Sequence, residues 1–203
     1  MMKLTSPYRN IKQNTKISIE PYYMNSDIRN NMKIVLKKKI EKKCNENGYI
    51  DEVYRIMKYE DGNLIAENLS GNVIFNVTYH CKICIPIENT IIIGQVKVIN
   101  QEVIVCMNGP IMIFITKDNI DTNIWEISDG YLHKPKKEKL SIGQYIKIHI
   151  LNKNINHGDV QVKAIGIMLD YATPDELNKY YGNIIEESPL NENVEGSENS
   201  FII

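Results

Sequence analysis

Long apolar segments are missing from this sequence. No apolar run approaches the roughly 18 residues that a helix needs to cross a bilayer, and residues 1–16 lack the apolar core of a signal peptide. Arginine is also scarce, at three residues against 21 lysines, 35 isoleucines and 24 asparagines. We therefore expect a protein that works inside a cell without membrane contact. The preference for residues with A/T-rich codons indicates an A/T-rich genome.

Groups arranged for catalysis are missing as well. The four histidines are scattered, and none has an acid or nucleophile at a spacing that indicates a catalytic triad. No phosphate-binding loop is present, and the stretch from Lys58 to Gly62 is one residue longer than the lysine motif of nucleotidyl transferases. We expect no catalytic activity in the chain by itself and no cofactor.

Cysteine is limited to positions 44, 81, 84 and 106. Cys81 and Cys84 have the C-x-x-C spacing of metal ligands, but a structural zinc ion needs four ligands, usually from two such pairs, and no second pair exists. Both also lie in an apolar, strand-like run. We interpret the cysteines as reduced structural thiols and predict no metal, with a zinc site as the less favoured alternative.

The formal net charge of −1 conceals an uneven distribution. Five glutamates and no basic residue follow Asn183, so the rest of the chain has 24 basic against 20 acidic residues. A mildly basic body is compatible with nucleic-acid contact without being diagnostic of it.

The first part of the chain has one clear helical pattern. Residues 1–14 are polar and predicted to be mobile, and residues 15–20 alternate like a short strand. Ser26 or Asp27 can then cap a helix that Gly48 would end. Its apolar positions are Ile28, Met32, Val35, Leu36, Ile40 and Cys44. Its opposite face has five lysines, which we interpret as a solvated face rather than a nucleic-acid site: Lys33, Lys37, Lys38, Lys42 and Lys43.

Strand patterns dominate from residue 49 onward. Residues 49–59 and 73–85 are strand-like and are separated by two turns with a short strand between them. One helix on an antiparallel sheet predicts an α+β domain over residues 15–87. Five further strand-like runs predict a small barrel of the oligonucleotide/oligosaccharide-binding (OB) type over residues 88–171. These runs are 91–99, 102–107, 111–117, 144–151 and 160–168.

Two segments outside these strands also carry a prediction. Residues 118–143 contain Trp125 and the basic run "HKPKKEK", and we predict a surface loop there. In residues 172–203, Thr173 can cap a short helix that ends near Gly182. The acidic, asparagine-rich remainder is predicted to be disordered.

The order of several motifs along the chain resembles a known family. These motifs are "GYI" (48–50), "FNVTYHCKICIPI" (75–87), "GQV" (94–96), "GPIMIFITK" (109–117) and "AIGIMLDY" (164–171). They are similar to the seventh subunit of eukaryotic RNA polymerase II, whose family includes the E-type subunit of the archaeal RNA polymerase and the equivalents in polymerases I and III. The resemblance covers about residues 15–171. Together with the composition, it indicates a version encoded by a large DNA virus.

The resemblance implies a non-catalytic subunit of the polymerase stalk. Its N-terminal domain, a truncated RNP-like unit, would dock on the core polymerase subunits near the clamp and pair with a small stalk partner. The expected docking residues form the two turns: Glu60, Asp61, Gly62, Asn63, Ser70, Gly71 and Asn72. Such a subunit would work in the host cytoplasm and the virion if viral, and in the nucleus if cellular.

The resemblance also places the barrel near the RNA exit path, where it would contact single-stranded nascent RNA. The expected phosphate contacts are Lys97, Lys117, Lys134, Lys136, Lys137, Lys139 and Lys147. The expected stacking residues are Tyr145, Phe114 and Trp125, although Phe114 lies in an apolar strand that is also compatible with a core position. The alternative function is a free-standing OB-fold RNA-binding module, such as an exosome or translation-factor component.

Overall fold

The computed structural model describes residues 3–64, 70–128 and 130–186. It is a mixed α+β structure made mostly of strands. Within the described residues, no helix combines the length and the apolar character needed to cross a membrane. The first half contains β1 (Tyr8–Ile19), α1 (Ile28–Ile40), β2 (Cys44–Asn45), β3 (Gly48–Tyr59), β4 (Asn63–Leu64) and β5 (Val73–Cys84). The second half contains β6 (Ile91–Ile99), β7 (Val103–Asn108), β8 (Ile111–Thr116), β9 (Trp125–Ser128), β10 (Gly130–His133), β11 (Glu138–Lys139), β12 (Tyr145–Asn154), β13 (Val162–Tyr171) and α2 (Pro174–Glu186).

The first half is an antiparallel sheet in the order β1-β5-β3-β2, with β4 also paired to β5. Odd-numbered residues of β5 face α1, because successive side chains of a strand point to opposite faces. They form one apolar cluster with Met32 and Leu36 of α1. The opposite face of the sheet is polar. This arrangement agrees with the predicted helix packed on an antiparallel sheet.

Two predictions about this half are wrong. Residues 8–14 were expected to be mobile, yet they form the first part of β1, which pairs with β5 from Tyr8 to Ile19. Gln13 is buried there, and its side-chain oxygen accepts hydrogen bonds from Tyr79 and Asn45, so a polar residue can lie inside the fold. The predicted helix also ends early, at Ile40, because Lys42 has a left-handed φ of 61°.

The second half contains a closed barrel in the order β6-β7-β8-β13-β12. All neighbours are antiparallel except β8 and β13, which run parallel. A five-stranded barrel fits the OB fold. The strands lie close to the predicted runs, because each alternates between core and outer residues; Ile104, Ile113 and Ile148 are among the fully buried ones.

The predicted surface loop at 118–143 is only partly a loop. Strands β9, β10 and β11 form a three-stranded sheet that packs on the barrel. Trp125, Tyr131 and Leu140 are buried in the barrel core, and the Trp125 indole donates a 2.6 Å hydrogen bond to the Leu169 carbonyl of β13. The prediction was wrong for these residues, because their partners lie far along the chain.

Several backbone hydrogen bonds join the two halves. The amide of Thr5 donates to Ile91 at 3.0 Å, the amide of Cys44 to Asp159 at 2.7 Å, and the amide of Gly158 to Cys44 at 2.8 Å. Tyr8 packs against the barrel core, which also includes Cys84, and the Lys82 amine lies 4.9 Å from the centre of the Tyr8 ring. The halves are therefore connected by more than the segment that follows β5.

Helix α2 begins where the sequence predicts and extends beyond Gly182. Thr173 and Glu176 form a capping box, in which the Thr173 amide donates to the Glu176 carboxylate (2.9 Å) and the Glu176 amide donates to the Thr173 hydroxyl (3.3 Å). Tyr180 is buried, and its hydroxyl accepts a 2.7 Å hydrogen bond from the Asn108 amide nitrogen. Disorder was predicted for the last twenty residues; residues 184–186 belong to α2, which corrects the start of that segment, and residues 187–203 lie outside the described residues.

The first prediction concerns the start of α2. Burial by itself raises the pKa of Glu176, but hydrogen bonds from Thr173 and Lys147 outweigh it, so the pKa lies below its ordinary value. A carboxylate with a lowered folded-state pKa stabilises the protein above its unfolded-state pKa, and this contribution is lost as the pH falls through the folded-state value. We expect Glu176→Gln to reduce the free energy of unfolding by about 0.5 kcal/mol at neutral pH, because glutamine can keep the capping hydrogen bonds and only the charge interactions of a partly exposed site are lost.

Urea unfolding of both proteins across a pH series measures this effect. The difference should shrink as the pH falls below the ordinary pKa of a glutamate and through the lower folded-state pKa, where the wild-type carboxylate takes up its proton. Glu46→Gln, at an exposed position between β2 and β3, is the control and should change little. A difference of the same size at all pH values would contradict the role assigned to the charge.

Candidate functional site

The two predicted docking turns lie together at one end of the sheet. The Glu60 amide donates to the Asn76 carbonyl at 3.0 Å, and the Asn76 side chain donates to the Glu60 carboxylate at 3.0 Å. Strand β4 pairs Asn63 with Ile74, directly beside the second turn. Glu60 to Asn63 and Ser70 to Asn72 therefore form one tip, as expected from the sequence.

The glycines of this tip fit closely against their own chain. A Cβ atom on Gly62 would overlap the side chains of Val73 and Phe75. Gly71 has a φ of +70°, and its Cβ would lie 3.4 Å from Pro21. Packing within the chain and the positive φ of Gly71 therefore account for the two glycines. From the sequence, the glycines are instead explained by close contact with another protein.

Exposed apolar side chains surround the same tip. Tyr22 is 83% exposed, Leu64 68% and Tyr59 41%. They lie on a short 3-10 helix (Pro21–Tyr23) next to Gly71, on β4 and at the end of β3. The sequence interpretation missed them, since a strand pattern alone does not show which apolar residues remain uncovered. Clustered exposed apolar residues are typical of a surface that contacts another protein.

The basic run of the 118–143 segment forms an exposed turn between β10 and β11. Lys134, Lys136 and Lys137 are exposed in this turn, and Lys139 is exposed on β11. The turn is attached to the barrel through His133, which precedes it. His133 Nε2 lies 2.9 Å from an Asp170 carboxylate oxygen, and the His133 ring packs against Trp125. The Lys136 amine lies 5.0 Å from the centre of the Tyr171 ring. The structure thus presents these lysines on a fixed support.

Lys117 and Lys97 lie elsewhere on the barrel. Lys117 is exposed beside a groove of about 730 Å³ between the β6–β7 loop and the β9–β10 hairpin. The Tyr131 hydroxyl donates to the Asn100 carbonyl at 3.0 Å and so connects the two sides of this groove. Lys97 is exposed on the outer part of β6. Both lysines remain accessible to a ligand on the barrel surface.

Several predicted RNA-binding residues make contacts within the protein. The exposed Lys134 donates from its amine to the Thr122 carbonyl at 2.6 Å, and three others are engaged by α2 or buried in the hairpin. The Lys147 amine lies 3.2 Å from the Glu176 carboxylate, and the Tyr145 ring packs at 6.1 Å from the Tyr181 ring of α2. Trp125 is 1% exposed and cannot stack on a base without unfolding the hairpin. Contacts with α2 and burial in the β9–β10 hairpin therefore make Lys147, Tyr145 and Trp125 unavailable to RNA.

Phe114 lies on the outer face of the barrel, in a row that crosses four strands. The register places Val98 beside Val105, Val105 beside Phe114, and Phe114 beside Ile165. A hollow of about 250 Å³ at the end of this row is lined by Phe114, Ile165 and two lysines, Lys153 and Lys163. The sequence interpretation missed these lysines, although the alternation of β13 indicates that Lys163 faces outward.

The four cysteines are all buried. Cys81 packs in the cluster beneath α1, whereas Cys84 packs in the barrel core, because residues three apart in a strand face opposite sides. Burial raises the pKa of Cys81 to about 11 and that of Cys106 to about 12, so both thiols are protonated at neutral pH. Metal binding needs thiolates. The C-x-x-C pair cannot chelate one ion in this geometry.

Comparison with known proteins identifies a relative over most of the chain. No family model matches. A protein of Acanthamoeba polyphaga mimivirus is 32% identical over 180 residues, which cover 88% of this chain and 90% of the relative. This relative is named, by inference, as a DNA-directed RNA polymerase subunit. The chain belongs to this family of DNA-directed RNA polymerase subunits.

For a polymerase subunit family, the surfaces of interest are those that another macromolecule can contact. Among the described residues, such surfaces include the apolar tip, the basic turn after β10, and the outer row that ends at Phe114 and Ile165. They lie on different elements of one fold. No group of three or more potential ligand residues among the described part of the chain could hold a metal ion.

The second prediction tests the interpretation of the cysteines. We expect purified protein to contain far less than about one zinc ion per chain by elemental analysis, because its C-x-x-C thiols are protonated and point apart. A chelator should leave the thermal unfolding temperature unchanged. Stoichiometric zinc that a chelator removes together with stability would show that the cysteines form a metal site.

Proposed function

We propose that this protein is a non-catalytic stalk subunit of a multi-subunit DNA-directed RNA polymerase. In this function, the tip of the N-terminal sheet docks on the core subunits, and a small stalk partner joins the assembly. The barrel contacts single-stranded nascent RNA during transcription. The relative is a mimivirus protein, which supports the expectation of a viral polymerase that works in the host cytoplasm and the virion.

One observation carries the proposal: an apolar tip and a barrel of the OB type lie in a single chain of a polymerase subunit family. Tyr22, Tyr59 and Leu64 expose apolar side chains at the tip, a feature that is typical of a surface that contacts a protein partner. The docking residues proposed from the sequence, Glu60 to Asn63 and Ser70 to Asn72, surround these side chains and would supply polar contacts at the rim.

The proposed RNA contacts combine phosphate binding with stacking. Lys134, Lys136, Lys137 and Lys139 form the basic turn, and Lys97 and Lys117 extend the basic surface on the barrel. Phosphate contacts of this kind give affinity with little sequence preference. Phe114 supplies an aromatic ring on the outer row for base stacking. Lys147 and Tyr145 would join this set only if α2 moved away.

Affinity purification followed by mass spectrometry tests the assignment. A stalk subunit should co-purify with the largest polymerase subunits, and a stoichiometric small protein in the same sample would be the stalk partner. A free-standing OB-fold RNA-binding module would co-purify without polymerase subunits, and that result would replace the proposal by this alternative.

The third prediction concerns docking. We expect Tyr22→Asp combined with Leu64→Asp to abolish co-purification with the polymerase, because two charges would have to be buried in an apolar interface. Both side chains are largely exposed, so the fold should tolerate the change. Substitution of Gly62 is unsuitable, since it lacks room for a side chain.

A matched control is available on the barrel. Ile142 and Val160 are each 67% exposed and lie far from the tip along the fold. Ile142→Asp combined with Val160→Asp should retain co-purification. Circular dichroism and thermal unfolding should show that both double variants are folded. Equal retention of the polymerase by the two variants would exclude the tip as the docking surface.

The fourth prediction concerns the basic turn. Changing Lys136, Lys137 and Lys139 to Glu should weaken binding to any single-stranded RNA. It should also flatten the dependence of affinity on salt, by about 0.7 in the log–log slope for each phosphate that is no longer bound. Fluorescence-anisotropy titration of a labelled oligouridylate at several salt concentrations measures both effects.

Two checks accompany this measurement. Trp125 is the only tryptophan and is buried beneath the turn, so its fluorescence reports whether the hairpin remains packed. The same charge reversal at Lys33, Lys38 and Lys43, on or beside α1, should have a smaller effect. Unchanged affinity and slope in the basic-turn variant would exclude this turn as an RNA contact.

A further inference from the structure

The face of the N-terminal sheet opposite α1 is polar and partly open. Even-numbered residues of β5 point to this face, because the odd-numbered ones pack beneath α1. Near the barrel, this face is covered where Tyr8, Tyr49 and Cys84 pack with the barrel core. Farther toward the tip, its residues are exposed or half-buried. We name this exposed part, from Lys12 to Lys16 on β1 with its partners on β5 and β3, the open face.

The strand register concentrates basic groups on the open face. Lys12 lies directly opposite His80, and His80 lies directly opposite Arg55. The next row toward the tip pairs Asn14 with Thr78 and Thr78 with Lys58, and Lys16 lies opposite Asn76 beyond it. The four long basic side chains of these rows belong to exposed residues: Lys12, Lys16, Arg55 and Lys58.

An aromatic pair lies within the same array. The rings of Tyr54 and His80 are 5.5 Å apart at an interplanar angle of 60°. Both residues are half-buried, and the Tyr54 hydroxyl itself is buried. Tyr54 reaches this face because register shifts in the β3–β5 pairing place both Tyr54 and Arg55 opposite the single residue His80.

Acidic groups are fewer and lie toward the borders of the open face. Glu52 is exposed one row nearer the barrel, opposite Lys82. Asp51 lies 2.7 Å from the Lys42 amine, and Glu60 accepts a hydrogen bond from Asn76 at the tip. The centre of the face therefore has a positive charge, with amide and hydroxyl groups from Asn14 and Thr78 between the lysines.

We propose that the open face is a second binding surface for single-stranded RNA, separate from the barrel. Lys12, Lys16, Arg55 and Lys58 contact phosphates, and the Tyr54–His80 pair stacks on a base. The chemistry is that of sheet surfaces that bind single strands, in which aromatic side chains on neighbouring strands support bases and basic residues bind the backbone. The inference extends the RNA contact of the proposed function and rests on it.

An RNA strand fits these observations better than a protein partner. A protein interface usually has an apolar centre with charged residues at its rim, whereas the open face has its charges at the centre. The apolar side chains of this half lie instead at the tip, where Tyr22 and Leu64 are exposed. An uncovered sheet face also lets extended nucleotides lie across adjacent strands.

A charge-neutralising variant of the full chain tests the proposal. Lys12→Gln, Lys16→Gln and Lys58→Gln together should weaken binding to a labelled oligouridylate and reduce the log–log salt slope by about 2, at about 0.7 for each phosphate. These three side chains are exposed, so the thermal unfolding temperature should change little. The control makes the same three-charge change on the other side of the sheet, as Lys33→Gln, Lys38→Gln and Lys43→Gln, and should keep the wild-type slope.

A second variant tests stacking without changing charge. Tyr54→Leu should lower RNA affinity at least about fivefold, because loss of one stacked base costs that much or more, while leaving the salt slope unchanged. Tyr22→Leu, at an exposed tyrosine of the tip, is the matched control and should bind RNA as the wild type does. Equal affinities for Tyr54→Leu, Tyr22→Leu and wild type would overturn the stacking role.

The outcomes separate this inference from the proposed function. If the basic-turn variant weakens RNA binding and the open-face variant binds as the wild type does, the inference is wrong and the barrel contact remains. If neither variant weakens binding, the RNA contact of the proposed function fails as well. If the open-face variant keeps RNA affinity but loses a protein from the purified polymerase, the face is a protein interface and the inference is overturned.

Discussion

Strand β5 determines the geometry of the whole molecule. It pairs along its length with β1 on one side and for most of it with β3 on the other, and it also receives β4. The period of two along the strand assigns its residues alternately to the core beneath α1 and to the polar face. At its last residue, Cys84, the strand enters the barrel core. One strand thus fixes the sheet, the tip and the attachment of the barrel.

This constraint separates the surfaces available to other molecules. The start of β5 lies at the tip, where exposed tyrosines and a leucine surround the two turns, and its end lies at the barrel. The basic turn is at a distance from the tip and depends on the aromatic cluster of Trp125, His133 and Tyr171 for its support. The proposed protein contact at the tip and the proposed RNA contact at the basic turn therefore use different residues.

The barrel could be predicted from the sequence because most of its strands alternate between core and surface over much of their length, as β7 and β8 do throughout. The run predicted at 91–99 coincides with β6, and the other four barrel strands differ from their predicted runs only at the ends. The capping box at Thr173 and Glu176 was also recognisable, since all of its groups lie within four residues. Local patterns are sufficient where the relevant contacts are local or repetitive.

The remaining differences come from contacts between distant residues. The burial of Gln13 depends on Tyr79, and the burial of Trp125 depends on Leu169, so polarity or loop length alone predicted the wrong environment. The candidate site shows the same limit. The exposure of Lys134 to Lys139 could be predicted from their charge density. The ion pair between Lys147 and Glu176 depends on how α2 packs, and the apolar tip depends on how β4 pairs with β5, and neither is visible in the sequence.

The hydrogen bonds between the two halves have a consequence for how the molecule opens. The N-terminal segment from Thr5 to Tyr8 and the segment around Cys44, which are well separated in the sequence, each contact the barrel or its first strand. A hinge absorbs motion at a few backbone positions, and these two attachments, together with the segment that follows β5, leave little freedom for one. Breaking the sheet therefore also removes contacts from the barrel, and local opening of one half costs free energy in the other. The slowest-exchanging amides of β5 and β7 should then belong to a single cooperative unit. A displacement of the tip would also be transmitted to the barrel, because the two halves would move together.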